Sequence, residues 1–335
     1  MLTLTRDQIL SFRRRVGGLD QRAAAGPQSL RLAAWAGLQD SMPRAAVLSL
    51  HARIEDVTGQ VLDDPSLVQL WGPRYSAYVT AAEDRAVFTL GRWPEDEKAQ
   101  ARAKLMAARL AAHLDGRSEV YDEVGEALGV NPNALRYAKT TGTVLIRWDG
   151  ARAPLVWTVP AAEIDVSGAR AELARRYLHV FGPATSRGFA KWAGVSDGAA
   201  TAVFMWLSAE LLDVRTPLGD ACVLASDEDE LRAQPGSAAP ARLLPSGDAF
   251  YLFWGADRQL MVPDATAQAD LWTSRVWPGA VLLDGELAGS WRRARETVKV
   301  HMWREPTRAE RDAVEAEATG LPIRGCEGQI RLGWE

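Results

Sequence analysis

The chain has 335 residues, 47% of them hydrophobic and 24% charged, which is enough for two or three compact units at roughly 100–200 residues each and is not the composition of a disordered chain. No stretch reaches the ~18 uncharged apolar residues of a membrane span, and Arg6, Asp7 and Gln8 stand where a signal peptide would need its apolar run, so a cytoplasmic protein is expected. The net charge of −4, taken as an average, argues against a nucleic-acid binder; Cys222 and Cys326, far apart and in no Cys/His spacing, read as ordinary thiols, with neither a metal nor a cofactor expected.

Thr5 is an N-cap candidate for a helix with Ile9, Phe12 and Val16 at helical spacing, closed by Gly17-Gly18. Helices over 29–38 and 45–54 follow, separated by Gln39-Asp40-Ser41-Met42-Pro43. Short apolar runs over 67–90, broken by Gly72-Pro73, predict a small strand-bearing wing or short helical connections. The Ala-, Leu- and Arg-rich stretch 95–114 is a helix that completes a first unit, 1–115.

In a second unit, 116–166, Ser118 can cap a helix carrying Val120, Val124, Ala127 and Leu128; Gly129 ends it and Asn131-Pro132 opens another. Two β-rich runs, 143–148 and 154–159, joined through Asp149-Gly150, predict a hairpin, so that the whole reads as a winged helix. The order repeats over 167–233 with helices at 169–180, 185–193 and 196–213 and a strand at 221–225. After a linker at 234–241, strands at 250–254, 260–262, 280–283 and 297–303 predict a small β-barrel within 242–335, with a last helix at 308–319. The expected fold class is α+β: three tandem winged-helix units followed by a C-terminal β-barrel.

Charge is segregated along the chain. Residues 1–53 carry +5, 134–191 carry +5 and 289–311 carry +4, which leaves −18 for the rest. Such a pattern can present one basic face to a polyanion; solvated helix faces with local bias are the alternative. The DNA-contact candidates are Arg44, Arg136 and Lys139 after the second turn of the middle unit, Arg147 and Arg152 on its hairpin, and Arg187 and Lys191 in the third unit. His51, Trp192 and Trp291 read as structural residues ahead of any chemical or stacking role.

Three motifs occur in order: Gly182-Pro-Ala-Thr-Ser-Arg-Gly-Phe-Ala-Lys-Trp-Ala-Gly194, Arg242-Leu-Leu-Pro-Ser-Gly-Asp248 and Val281-Leu-Leu-Asp-Gly-Glu-Leu-Ala-Gly-Ser-Trp291. Together they resemble the tandem winged-helix DNA glycosylases of the AlkZ/YcaQ type over nearly the whole chain. Gly37-Leu-Gln-Asp-Ser41, ahead of Leu50-His-Ala-Arg53, stands where that family has a Gln-x-Gln or Gln-x-Asp element in its active cleft. The resemblance implies three winged helices, a C-terminal barrel, a concave surface for duplex DNA, and hydrolysis of the N-glycosidic bond of alkylated purines, particularly N7 adducts of guanine, with crosslink unhooking in some members. Two departures stand out. Ser41 replaces the second Gln or Asp, and Ser76-Ala-Tyr78 aligns with the family's Thr-Leu-His segment.

An N7-alkylated guanine is already cationic, so the base leaves without protonation and the sugar develops oxocarbenium character. A protein then has to hold a water and tolerate growing positive charge. Gln39 can accept a hydrogen bond from that water, and Ser41 points the same way if the segment is extended. Asp40 would then face the opposite side; a tight turn would bring it into the cleft as a general base, whereas a cap or turn role keeps it out. No lysine lies near this element, so a monofunctional enzyme is expected. The alternatives are a catalytically silent winged-helix DNA-binding or regulatory protein, which Ser41 favours, and a lesion- or drug-sequestering resistance protein.

Overall fold

Three sheets organise the computed structural model, which describes residues 1–41, 44–73, 76–149, 153–323 and 330–335. Helix Arg6–Val16 starts at a capping box in which Thr5 and Gln8 each bond the other's backbone N–H, and it buries Ile9, Leu10 and Phe12. Its last turn sends Arg13 inward. The guanidinium donates to the carbonyls of Gly182 at 3.0 Å and Phe181 at 2.8 Å, closing the end of helix Val166–Phe181, where peptide dipoles leave unpaired negative oxygens.

The first two units share one antiparallel sheet of six strands, in the order Leu38–Gln39, Ala77–Ala81, Leu67–Trp71, Val144–Arg147, Leu155–Thr158 and Glu119–Val120. Gln69 opposite Ile146 is the register pair that joins the two hairpins. Helix Glu97–Leu114, capped by Asp96, packs Met106, Leu110 and Leu114 against Tyr121, Val124, Leu135 and Val156. Helix Tyr121–Ala127 leads into a 3-10 segment, Pro132–Thr140, which Asn131 caps. The expected stretch 67–90 thus holds two strands and a short helix, Arg85–Leu90.

Helices Val166–Phe181, Ser186–Ala193 and Asp197–Trp206 begin at Asp165, Thr185 and Ser196, each accepting a backbone N–H three residues on. Tyr177, Phe181, Phe189 and Trp192 pack as one aromatic cluster, with Trp192 only 1% exposed. The helix expected over 196–213 stops at Trp206, and Leu211–Thr216 is a strand instead. There Asp213 and Arg215 face solvent while Val214 is buried, a period of two that outweighs the i, i+4 match of Leu207 and Leu211. This strand pairs with Gly219–Leu224, and Leu2–Thr3 adds to it in parallel.

Among the described residues no sheet closes into the expected barrel. Strands Ala241–Leu244, Gly279–Leu283, Glu286–Ala294, Thr297–Met302 and Arg331–Trp334 make an open five-stranded sheet, with the first and last strands at its edges. Two expected strands are absent: 250–254 opens in a 3-10 turn, Ala249–Tyr251, and 260–262 falls largely in helix Asp257–Met261. Phe250, Tyr251, Leu252 and Phe253 are buried in succession, as are Leu260, Met261 and Val262, and a short continuous apolar run does not distinguish strand from buried turn or helix. Helix Arg308–Thr319 covers one sheet face with Val314 and Ala318. Among the described residues no helix is long and apolar enough to cross a membrane.

Candidate active site

Gln39 ends its two-residue strand, and Asp40 continues the pairing by donating its N–H to the Ala77 carbonyl at 2.7 Å. Successive side chains of an extended segment point to opposite faces. Gln39 and Ser41 accordingly meet, Nε2 donating to Oγ at 2.6 Å, while Asp40 is buried at 1% exposure. Tyr78, opposite Gln39 in the ladder, places its hydroxyl 3.5 Å from Gln39 Oε1. Gly247, at φ +78°, closes on the same amide. A Cβ there would lie 2.9 Å from Gln39 Nε2, so only glycine supplies both the backbone conformation and the room.

Two cavities meet at Ser41 and Ser76. The smaller, about 340 Å³, runs between Gln39 and the loop residues Ser246, Leu252, Arg275, Val276 and Trp277. The larger, about 600 Å³, reaches the middle unit, where Tyr121, Asn131, Asn133, Arg136 and Trp148 line it. Its wall is therefore aromatic and amide-rich, with one carboxylate, Asp122.

Asp40 sits behind this wall and lines neither cavity. Oδ1 accepts the N–H of Ala46 at 3.0 Å, in the first turn of helix Ala45–His51, and Oδ2 accepts the Gln69 amide at 2.7 Å. Gln69 in turn accepts the Trp148 N–H at 2.6 Å. The carboxyl thus does the work of a cap and ties the Gln39 segment to both hairpins. Burial pushes it up to about 7, against the pull of the Ala46 N–H, Arg44 and Gln69. Because this lies above the ordinary 3.8, the folded chain holds a proton that the unfolded chain has released. The stability Asp40 contributes is complete below about 4 and is lost as pH rises through about 7. In urea titrations the wild type should lose stability across that window relative to Asp40→Asn, whose side chain does not titrate; parallel pH profiles would contradict the assignment.

His51 is held neutral: burial first, and Arg22 second, bring it down to about 4. Trp291 is buried, with its indole N–H on the Leu244 carbonyl at 2.8 Å. Neither residue lines the two cavities that meet at Ser41.

The basic N-terminal segment is largely spent inside the molecule. Arg6 pairs with Glu286, Arg14 with Asp20, Arg15 with Glu230, Arg22 with Glu317, Arg31 with Asp84 and Arg53 with Asp248, while Arg13 serves carbonyls. Arg44 differs: it stands in the left-handed region at φ 66°, just before helix Ala45–His51. Arg136 lines the larger cavity, where its buried Nε has no hydrogen-bond partner among the described residues. Lys139 lines a separate cavity with Arg92, Arg102 and Tyr137, and burial, with Arg92 and Arg136 nearby, lowers its amine to about 7. Arg147 is bound to Asp63 and to the Leu62 carbonyl. Arg187 and Lys191 are exposed one turn apart on helix Ser186–Ala193 and line neither cavity at Gln39. Arg152, Met42, Pro43 and Cys326 lie outside the described residues.

Sequence reasoning missed Gln69, Trp148 and the 275–277 segment. Gln69 lies in a strand whose pattern was ambiguous, and the 275–277 segment is brought to Gln39 only by the tertiary fold. Among the described residues no group of three His, Cys, Asp or Glu side chains could hold a metal ion.

A model of the family described as DNA glycosylase AlkZ-like matches residues 32–322, and the chain belongs to that family. It is a DNA glycosylase, a hydrolase that acts on damaged DNA. The fold is similar to that of the solved Streptomyces sahachiroi DNA glycosylase AlkZ, at a TM-score of 0.81 and 17% identity, covering 100% of both chains. A search of curated proteins finds no match.

Proposed function

We propose that the protein is a monofunctional glycosylase that hydrolyses the N-glycosidic bond of alkylated purines in duplex DNA, N7 adducts of guanine and crosslinks through N7 included. The observation that carries this reading is the Gln39–Ser41 pair, 2.6 Å apart on the wall shared by two cavities. A cationic base is already a good leaving group, so the protein need only orient water and present negative dipole to the oxocarbenium sugar. With Nε2 engaged by Ser41, the Gln39 carbonyl oxygen is the acceptor for that water. Ser41 fixes the amide, and Asp40 fixes the backbone that carries both.

The orders within 116–166 (a helix, a 3-10 segment and a hairpin) and 167–233 (three helices and a hairpin) support a reading of both as winged helices, with the paired strands Leu67–Trp71 and Ala77–Ala81 as the wing of the first. In this reading Arg136, which lines the larger cavity, takes a backbone phosphate, and Arg44, Arg187 and Lys191 are candidates for phosphates farther along the duplex. Each phosphate neutralised steepens the salt dependence of binding. The test is incubation with a duplex containing N7-methylguanine, followed by heating in alkali. Cleavage at the modified position supports the proposal. Tight binding without cleavage replaces it with the silent DNA binder.

A further inference from the structure

The smaller cavity has one wall that no sequence motif accounts for, the irregular segment 273–277 between helix Ala265–Leu271 and strand Gly279–Leu283. Its backbone is fixed from several sides. Thr273 Oγ1 donates to the Val276 carbonyl at 2.9 Å and Arg292 donates to the same oxygen at 3.1 Å. Tyr251 donates to the Pro278 carbonyl at 2.8 Å, and the Arg258 guanidinium lies 5.3 Å from the centre of the Trp277 ring. With Val276's carbonyl held by two donors, its side chain is left 46% exposed at the cavity mouth, beside Gln39, Ser41, Ser76 and Ser246. Val276 thereby presents a small apolar surface at the mouth of a serine- and amide-lined cavity. Arg275 lines the same cavity, is exposed, and has no acidic partner among the described residues, whereas the N-terminal arginines are mostly paired.

We propose that the 273–277 segment is a second positioning element of the site: Arg275 binds a phosphate next to the damaged nucleotide, and Val276 packs on that nucleotide's sugar, keeping bulk water from the anomeric carbon. This rests on the reading of the Gln39 cleft as the place of hydrolysis. The rigid carbonyl anchors set the segment before DNA arrives, so little ordering is needed on binding. The single charge supplies one phosphate contact. The small apolar side chain leaves only the water held by Gln39 able to reach the sugar.

The experiment compares Arg275→Ala, Arg275→Lys, Val276→Ser and Gln39→Ala on an N7-methylguanine duplex, reading affinity against salt concentration and saturating single-turnover excision, with thermal melting as a check on folding. Arg275→Ala should weaken binding about 3–10-fold and lower the log–log salt slope by about one, which Arg275→Lys restores. Val276→Ser should slow single-turnover excision about 5–50-fold while affinity changes less than about 2-fold. If these variants match wild type in slope, affinity and rate while Gln39→Ala loses excision, the 273–277 proposal is overturned and the cleft reading stands. If Gln39→Ala also excises normally, the cleft reading itself falls, and this proposal with it.

Discussion

Gln39→Ala is expected to slow single-turnover excision of N7-methylguanine by about 10–1000-fold while leaving duplex affinity nearly intact. The range is that for losing one positioning or electrostatic contact to the transition state. In the proposed mechanism truncation removes the acceptor for the attacking water, and it frees Ser41, whose hydroxyl the amide holds at 2.6 Å. Because Gln39 is only half-buried and its strand is two residues long, the sheet should survive. Loss in the rate and not in affinity is the mark of an interaction made in the transition state. Ser41→Ala should give a smaller loss, since it releases the amide without removing it. An equal loss of affinity in Gln39→Ala would instead place the residue in ground-state binding.

The second large effect is on stability. Asp248 is buried with Arg53: the two guanidinium nitrogens lie 2.8 Å from Oδ1 and Oδ2, Ser49 donates at 2.6 Å and the Phe250 N–H at 3.0 Å. Burial works against the charge, yet Arg53 and these hydrogen bonds hold the carboxyl below its ordinary range. Asp248→Ala would leave a guanidinium only 5% exposed without its counter-ion. Stranding one member of a buried pair costs about 3–5 kcal/mol, a large part of the ~5–15 kcal/mol that keeps a domain folded. Urea unfolding checks this: a loss near 4 kcal/mol is expected, and a loss below about 1 kcal/mol contradicts the assignment. The pair joins helix Ala45–His51 and its continuation to the loop whose Gly247 abuts Gln39, so surviving Asp248→Ala protein should also excise slowly. Arg53→Met with Asp248→Leu, which removes both charges, should recover much of the stability.

Local signals were legible where one residue settles one backbone event. Thr5 and Asn131 cap where their types predict, whereas Ser118 does not: Glu119–Val120 is a strand, and helix Tyr121–Ala127 opens at Val120 with no side-chain cap. The alternation of Gln39 and Ser41 against Asp40 followed from the extended geometry alone. Non-local pairing was not legible. Nothing in the residues 67–71 announces that Gln69 will pair across to Ile146 and hold Asp40, and nothing in the C-terminal apolar runs tells that two of them become a 3-10 turn and a helix and leave an open five-stranded sheet. Charge shows the same limit: the excess in residues 1–53 is a count along the chain, whereas Glu230, Asp248, Glu286 and Glu317, which pair with four of those arginines, lie some 195 or more residues away in sequence. The Arg242–Asp248 motif was visible as a pattern, and its purpose as the partner of Arg53 emerged only with the fold.

The most direct measurement is the release of free N7-methylguanine from a duplex at saturating wild-type protein, followed by chromatography in parallel with the state of the DNA strand. Hydrolysis at the Gln39 cleft predicts stoichiometric base release, an abasic strand that stays intact until alkali is added, and loss of that release in Gln39→Ala. Base retained on DNA that the protein binds tightly, or release that Gln39→Ala leaves unchanged, would contradict it.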